Sequence, residues 1–314
     1  MSDVLTLGES LALIRTTTPG RLRHQATAAI GFGGAESNVA IGLARLGHEV
    51  GWLGRVGVDE FGELISAGLR GEGVDAHVIL DRDHPTALMV KSMPTAALRR
   101  VTYYRKGSAG SHLTVEDLEG VQWSQVQLLH VSGITCAVSD SARATVFEAV
   151  ARAKNVGAGV SFDVNHRNTI WSTDQAAPTY SELAEAADVL IGGVEELALL
   201  GIEHHTDEAD FLHRLAKRFD ADVVLKKGTA GASSLVDGSY QAVEAVPVDV
   251  VDTVGAGDAF VAGYLSATVD RASATERLTR GAQCGAWVCT SPGDWEGAPT
   301  RADLHLLTHQ EVLR

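Results

Sequence analysis

The sequence predicts an α/β fold: a three-layer α/β/α core around a mostly parallel central sheet, with a small β-sheet lid. Three observations predict it. Short β-type runs alternate with helical runs along most of the chain, the pattern of a parallel sheet covered by helices. Several of the β-type runs are continuously apolar, as strands buried on both faces are. Two segments, about 11–30 and 85–106, break the rhythm. They are rich in Thr, Arg and β-formers and hold no convincing helix. They read as a separate sheet over a site built by the main domain, the alternative being a pair of surface hairpins.

The candidate core strands are 4–7, 50–53, 126–131, 159–163, 188–191 and 222–226. Between them, a helix over 36–46 sets Val39, Leu43 and Leu46 on one face and stops at Gly47, a residue suited to the left-handed turn after a helix. A second helix over 139–154 carries Val146, Phe147, Val150 and Ala153 at helical spacing. No internal repeat and no Pro-rich linker interrupts the pattern, so residues 1–314 read as one domain.

Composition narrows the partners. Hydrophobic residues make up 45% of the chain, enough for a large core, and no low-complexity stretch suggests disorder. A formal charge of −14, from 26 basic and 40 acidic side chains, disfavours nucleic acid or anionic membrane as a main partner. An anionic small molecule would need a local basic pocket. Cys136, Cys284 and Cys289 lack CxxC spacing and fall in apolar stretches, so they read as buried reduced thiols. Neither a signal peptide nor a membrane-length apolar run is visible, and a cytoplasmic location is expected.

The most informative stretch is Asp252-Thr253-Val254-Gly255-Ala256-Gly257-Asp258-Ala259-Phe260. It follows a β-rich region, 243–251, and opens an apolar helix over 259–269. The N–H groups of Gly255, Ala256 and Gly257 at a helix N-terminus suit a phosphate or a developing anion. Asp258, in the first turn, can accept a proton from a nearby hydroxyl. Alone, such a loop is equally compatible with a plain helix cap. It is not Walker A, because no Lys-Ser or Lys-Thr follows the glycines, and it lacks GxGxxG.

Asp252–Phe260 resembles the C-terminal signature of the ribokinase-like (PfkB) carbohydrate kinases. The N-terminal signature is similar too: Gly31-Phe32-Gly33-Gly34-Ala35-Glu36-Ser37-Asn38-Val39-Ala40, running on through Gly47 to Gly54-Arg55-Val56-Gly57-Val58-Asp59. The two lie near opposite ends of the chain, so the resemblance covers essentially all of it. It implies a ribokinase-like core with the sugar under the β lid, near Gly33, Gly34 and Asn38, and ATP along the sheet's edge. Asp258 is then the catalytic base and Gly255, Ala256 and Gly257 form the anion hole. Lys226, Gly228 and Gly231 fall in the segment that contacts the nucleotide. The family's Asn-x-x-Glu is Gly193-Val194-Glu195-Glu196 here, which puts a role of Glu196 toward hydrated Mg²⁺ in doubt, although ATP itself brings Mg²⁺. The resemblance also suggests a K⁺ site at Asp252 and the backbone after Val288.

Three further segments bear on the sugar: Tyr103-Tyr104-Arg105 in the second lid segment, Asp163-Val164-Asn165-His166-Arg167 at a strand end, and Gly293-Asp294-Trp295-Glu296-Gly297. Two arginines converging on one pocket of an acidic protein would pair with a carboxylate. All three segments resemble those of the 2-keto-3-deoxygluconate kinases of the family. That implies sugar-acid contacts from Gly34, Tyr103, Arg105, Arg167, Asp258 and Asp294, with Asn165 and Arg167 also near the nucleotide. The expected reaction is phosphorylation of the terminal hydroxyl by ATP. The alternatives are a fructokinase or ribokinase type acting on a neutral sugar, and a sugar-binding regulator without catalysis. The histidines are scattered, His204-His205 sits in a polar loop, and no metal site of the protein's own is expected. The open edges of the lid suggest a homo-oligomer.

Overall fold

A computed structural model describes residues 3–95, 98–204 and 207–308, which leaves Ala96, Ala97 and His205 outside the described residues. In chain order the strands are β1 (Val4–Leu7), β2 (Leu11–Arg15), β3 (Ala29–Gly33), β4 (Val50–Gly57), β5 (Asp75–Asp81), β6 (Leu88–Thr95), β7 (Leu98–Tyr104), β8 (Leu128–Ser132), β9 (Gly159–Asp163), β10 (Val189–Gly192), β11 (Asp222–Lys226), β12 (Ala232–Val236) and β13 (Ser239–Val243). The helices are α1 (Ala35–Arg45), α2 (Glu60–Gly71), α3 (Gly133–Val138), α4 (Asp140–Asn155), α5 (Thr173–Ala186), α6 (Val194–Ala198), α7 (Glu208–Phe219), α8 (Ala256–Val269), α9 (Ala274–Val288) and α10 (Arg301–Thr308).

The large sheet has nine strands in the order β13-β12-β11-β10-β9-β8-β1-β4-β5. β12 pairs antiparallel with both its neighbours, β11 and β13, and the other pairs are parallel. Side chains of successive residues enter opposite layers. Leu190 of β10 packs with α4, α5 and α7, whereas Val189 and Ile191 pack with α1, α2, α8 and α9. Both layers are apolar, which is why these strands read as continuous apolar runs. The chain winds outward both ways from β1, through β4 and β5 on one side and β8 to β11 on the other. The strand order therefore switches direction at β1, where such sheets open a crevice beyond their C-terminal ends.

The small sheet has the order β3-β2-β6-β7, built from the two segments that break the alternation in sequence. It lies over that crevice. Three strands of the large sheet, β5, β12 and β13, are absent from the sequence expectation. β5 is a half-exposed edge strand whose apolar run is only Val78-Ile79-Leu80, and β13 is mostly exposed and carries none. Residues 243–251, expected as β-rich, form no strand beyond Val243. Val250 and Val251 are exposed, and the Val251 N–H donates to the Cys289 carbonyl at 2.8 Å instead of to a ladder. The helix expected from residue 259 starts at Ala256, which brings Gly257 and Asp258 inside it. Ser139 is the N-cap of α4, its Oγ accepting from the Ala142 N–H at 3.0 Å. No helix among the described residues is long and apolar enough to cross a membrane.

Candidate active site

Beyond the C-terminal ends of β1, β8, β9 and β11, and under the lid, lies a cavity of about 410 Å³. Asp258 stands in its wall because of Gly255. That residue is the N-cap of α8 with φ +78°, and a Cβ there would collide with the Asp294 carbonyl, so only glycine makes this turn. The Ala256 N–H turns back to the Thr253 carbonyl at 3.3 Å. The N–H groups of Gly255, Gly257 and Asp258 have no partner among the described residues and stand at the positive end of α8.

Asn38, one turn into α1, donates from Nδ2 to Asp258 Oδ2 at 2.7 Å and accepts the Gly34 N–H at 3.3 Å on its Oδ1. One amide therefore ties the Gly33-Gly34 turn to Asp258. Burial pushes Asp258 up to about 6; the Asn38 hydrogen bond opposes, Asp163 adds to the rise, and Lys226 and Arg167 oppose. Such a carboxyl is mostly ionised at neutral pH yet basic enough to take a proton.

The cavity gathers twelve of the expected residues: Gly33, Gly34, Asn38, Tyr103, Arg105, Asn165, Arg167, Lys226, Gly255, Gly257, Asp258 and Asp294 all line it. Ala256, Gly228 and Gly231 do not. Gly231 answers to the backbone instead: at φ +88° a Cβ would collide with the Val243 carbonyl. The cations are mostly spoken for. Arg105, just past the end of β7, has its Nη2 2.7 Å from Glu9 Oε2 and its guanidinium 5.9 Å from the Tyr103 ring. Lys226 Nζ donates to both Asp163 oxygens at 2.8 Å, so it is no solvated strand end. Lys91 pairs with Asp294. Arg167 alone of the cavity's cations has no ion pair among the described residues.

Glu196 lines the cavity and accepts the His166 N–H at 3.0 Å and the Gly193 N–H at 2.7 Å, one on each oxygen. Each oxygen accepts only one hydrogen bond among the described residues, so Glu196 has acceptor capacity left for water molecules around an ATP-borne Mg²⁺. Asp252 Oδ1 takes the Val254 N–H at 3.2 Å, and the Cys289 carbonyl already accepts two N–H groups. Asp252 keeps its other oxygen for a monovalent cation, but that carbonyl does not.

Sequence reasoning missed Glu9, Glu36 and Lys91. Glu36 is buried, accepts from Ser132 and Thr135, and is pushed up to about 7 chiefly by that burial. Glu9 and Lys91 sit inside otherwise unremarkable runs and Glu36 inside the N-terminal signature without a role assigned to it, and only strand register reveals that Lys91 faces inward. His166 bonds Tyr180 and Asn168 rather than facing the cavity. Trp295 packs on Phe32 and donates to its carbonyl at 2.9 Å. One group among the described residues could hold a metal, Asp81 with His84 and His112. It lies where the lid strands join the core, with the two rings stacked 3.5 Å apart and Asp81 engaged by Arg55. Cys136 and Cys284 are buried and Cys289 partly so, all three free.

Three comparisons bear on this site. The chain is 39% identical over 308 residues to the 2-dehydro-3-deoxygluconokinase of Bacillus subtilis, covering 96% of this chain and 94% of that one. It is 33% identical to the fructokinase of Salmonella typhimurium, over 97% and 98%. Among solved structures, a Vibrio cholerae fructokinase double mutant with fructose, ADP and potassium superposes with a TM-score of 0.84 at 30% identity, over 98% of this chain and 99% of that one. The description "pfkB family carbohydrate kinase" matches residues 1–301. Cavity, loop and relatives agree: the chain belongs to the pfkB family of carbohydrate kinases and is an ATP-dependent sugar kinase.

Proposed function

We propose that this kinase phosphorylates 2-keto-3-deoxygluconate, also called 2-dehydro-3-deoxygluconate, at its terminal hydroxyl, giving the 6-phosphate. The observation that carries the reading is one cavity in which Asp258 shares the space with Lys91, Arg105, Arg167 and Lys226, Arg167 being without an acid partner among the described residues. Three of the four carry acid partners of their own, so Arg167 is the charge left for a substrate carboxylate. The Bacillus subtilis relative supports the same substrate class.

In this reading the terminal hydroxyl lies against Asp258. Asn38 holds one carboxylate oxygen and leaves the other to take the proton as the hydroxyl oxygen attacks the γ-phosphorus and the bond to ADP breaks. The open N–H groups of Gly255 and Gly257 receive the charge on the transferring group, which needs positioning and neutralisation more than covalent help. Arg105 and Arg167 take the carboxylate, with Tyr103, Gly34 and Asp294 along the chain of hydroxyls. Asn165, Arg167 and Lys226 face the phosphates. Gly228 and Gly231 shape the turn beyond β11 where the nucleotide would lie. Glu196 would hold the waters of Mg²⁺, and Asp252 a potassium ion, as the Vibrio cholerae structure with ADP and potassium suggests. The exposed edge strand β7 would join copies into a homo-oligomer.

A neutral-sugar kinase is the second reading. It is favoured by the Salmonella typhimurium fructokinase and by the acid partners already on Lys91, Arg105 and Lys226. ATP-dependent ADP release over 2-keto-3-deoxygluconate, its galactonate epimer, fructose, ribose and adenosine decides. Preference for either keto acid supports the proposal; preference for fructose or ribose overturns it in favour of the second reading.

A further inference from the structure

Lys91 enters the cavity from the lid. In β6 it stands opposite Arg15 of β2 and Val101 of β7, and alternation puts it on the same face as Met89; both line the cavity. Its ammonium ends on Asp294 Oδ1, so one ion pair joins the lid to the C-terminal loop across the sugar space. The side chains are only 12% and 7% exposed, which keeps water from screening the pair.

The two partners are held unequally. Asp294 is fixed: its N–H donates to Glu296 Oε2 at 2.9 Å, its carboxylate rests against Gly33 and its carbonyl against Gly255. Lys91 hangs on a flexible four-carbon stem from a four-stranded sheet. Asp294 is also where a sugar hydroxyl would donate. A neutral sugar arriving there competes with Lys91 and offers its ammonium no counter-charge. A sugar bearing a carboxylate lets Lys91 exchange one anion for another while Asp294 accepts the hydroxyl. Lys226 has less freedom, being held by both oxygens of Asp163, and Arg105 lies against Glu9, whose second oxygen accepts from Ser108.

We propose that Lys91 is a specificity-determining residue of the sugar pocket, passing from Asp294 to the carboxylate of an anionic sugar and drawing lid strand β6 over it. The inference rests on the sugar-acid reading above.

The test uses the full-length enzyme, with Lys91→Met and Lys91→Arg beside wild type. The measured quantities are kcat and KM for 2-keto-3-deoxygluconate and the inhibition constant of its methyl ester, in which the charge is masked. Wild type decides the underlying reading: failure to turn over either keto acid overturns that reading, and this inference with it. Given turnover, Lys91→Met is expected to raise KM roughly 30-fold or more, because a cation buried against a carboxylate is lost. Its kcat should stay within about threefold, the ester should bind as before or more tightly because it no longer has to displace Lys91, and Lys91→Arg should keep KM near wild type. An unchanged KM in Lys91→Met overturns the role of Lys91 and leaves the sugar-acid reading standing. An equal loss for acid and ester also overturns it, since lid damage alone would do that. If Lys91→Met fails to fold, Lys91→Gln replaces it on the same criteria.

Discussion

If Asp258 is the base, removing the Asn38 amide should move the acid limb of the enzyme's pH profile, because that amide favours the ionised Asp258 carboxylate. Asp258 is about 6 in the folded protein, against an ordinary 3.8. Activity that needs its carboxylate should therefore fall as pH drops through about 6. Asn38 is 5% exposed and donates to Asp258 Oδ2 at 2.7 Å. A hydrogen bond to a charged group is worth about 1.5–3 kcal/mol net, and 1.36 kcal/mol is about one pKa unit, which gives about one to two units. Water entering the space left by Asn38→Ala would restore part of this, so the expected rise is about one unit. The assay is kcat/KM for the best sugar between pH 5 and 9 at saturating ATP, with the protein's Tm followed alongside. An acid limb that stays in place in a folded variant would refute the assignment of Asp258 as base or of Asn38 as its partner.

Asp258→Asn should cut kcat about 10²–10⁴-fold while sugar binding by calorimetry survives. The same variant should be more stable at pH 7. The folded state holds its proton more tightly than the unfolded chain, so ionisation of Asp258 destabilises the fold as pH rises from about 3.8 to about 6, and Asn escapes this by about 1–3 kcal/mol. A Tm at or below wild type counts against the burial argument. Glu36→Gln should behave alike at pH 8, since Glu36 is raised from 4.5 to about 7 and Gln can still accept from Ser132 and Thr135; thermal melts at pH 5 and 8 should show the gain only at the higher pH. Arg105→Ala should lower kcat/KM for the keto acid by about 2–4 kcal/mol, mainly through KM; steady-state rates on 2-keto-3-deoxygluconate check it. Gly255→Ala should cost stability by at least about 1–3 kcal/mol and cripple turnover, measured by urea melts and ADP release, since φ +78° and the Asp294 carbonyl leave a Cβ no room.

The fold was legible where burial is two-sided. β1, β9 and β11 lie where apolar runs place them, because both helical layers demand apolar side chains from them. Edge strands β5 and β13 escaped, since an edge facing water asks for no such run. The site divides along the same line. Gly255 and Asp258 stood out because a glycine loop opening a helix leaves N–H groups for an anion, whereas Gly34 and Asn38 were readable only through the resemblance to the family's N-terminal signature. Glu9, Glu36 and Lys91 were not, because nothing local forces their identity. Each acts through a partner far along the chain: Glu9 toward Arg105, Glu36 toward Ser132, Lys91 toward Asp294. Local rules fix where the backbone can take a charge, but pairing that charge needs the topology that brings β1, β6 and the C-terminal loop together. The motif therefore identifies phosphoryl transfer, while the choice of sugar lies in contacts that only the assembled sheet and lid create.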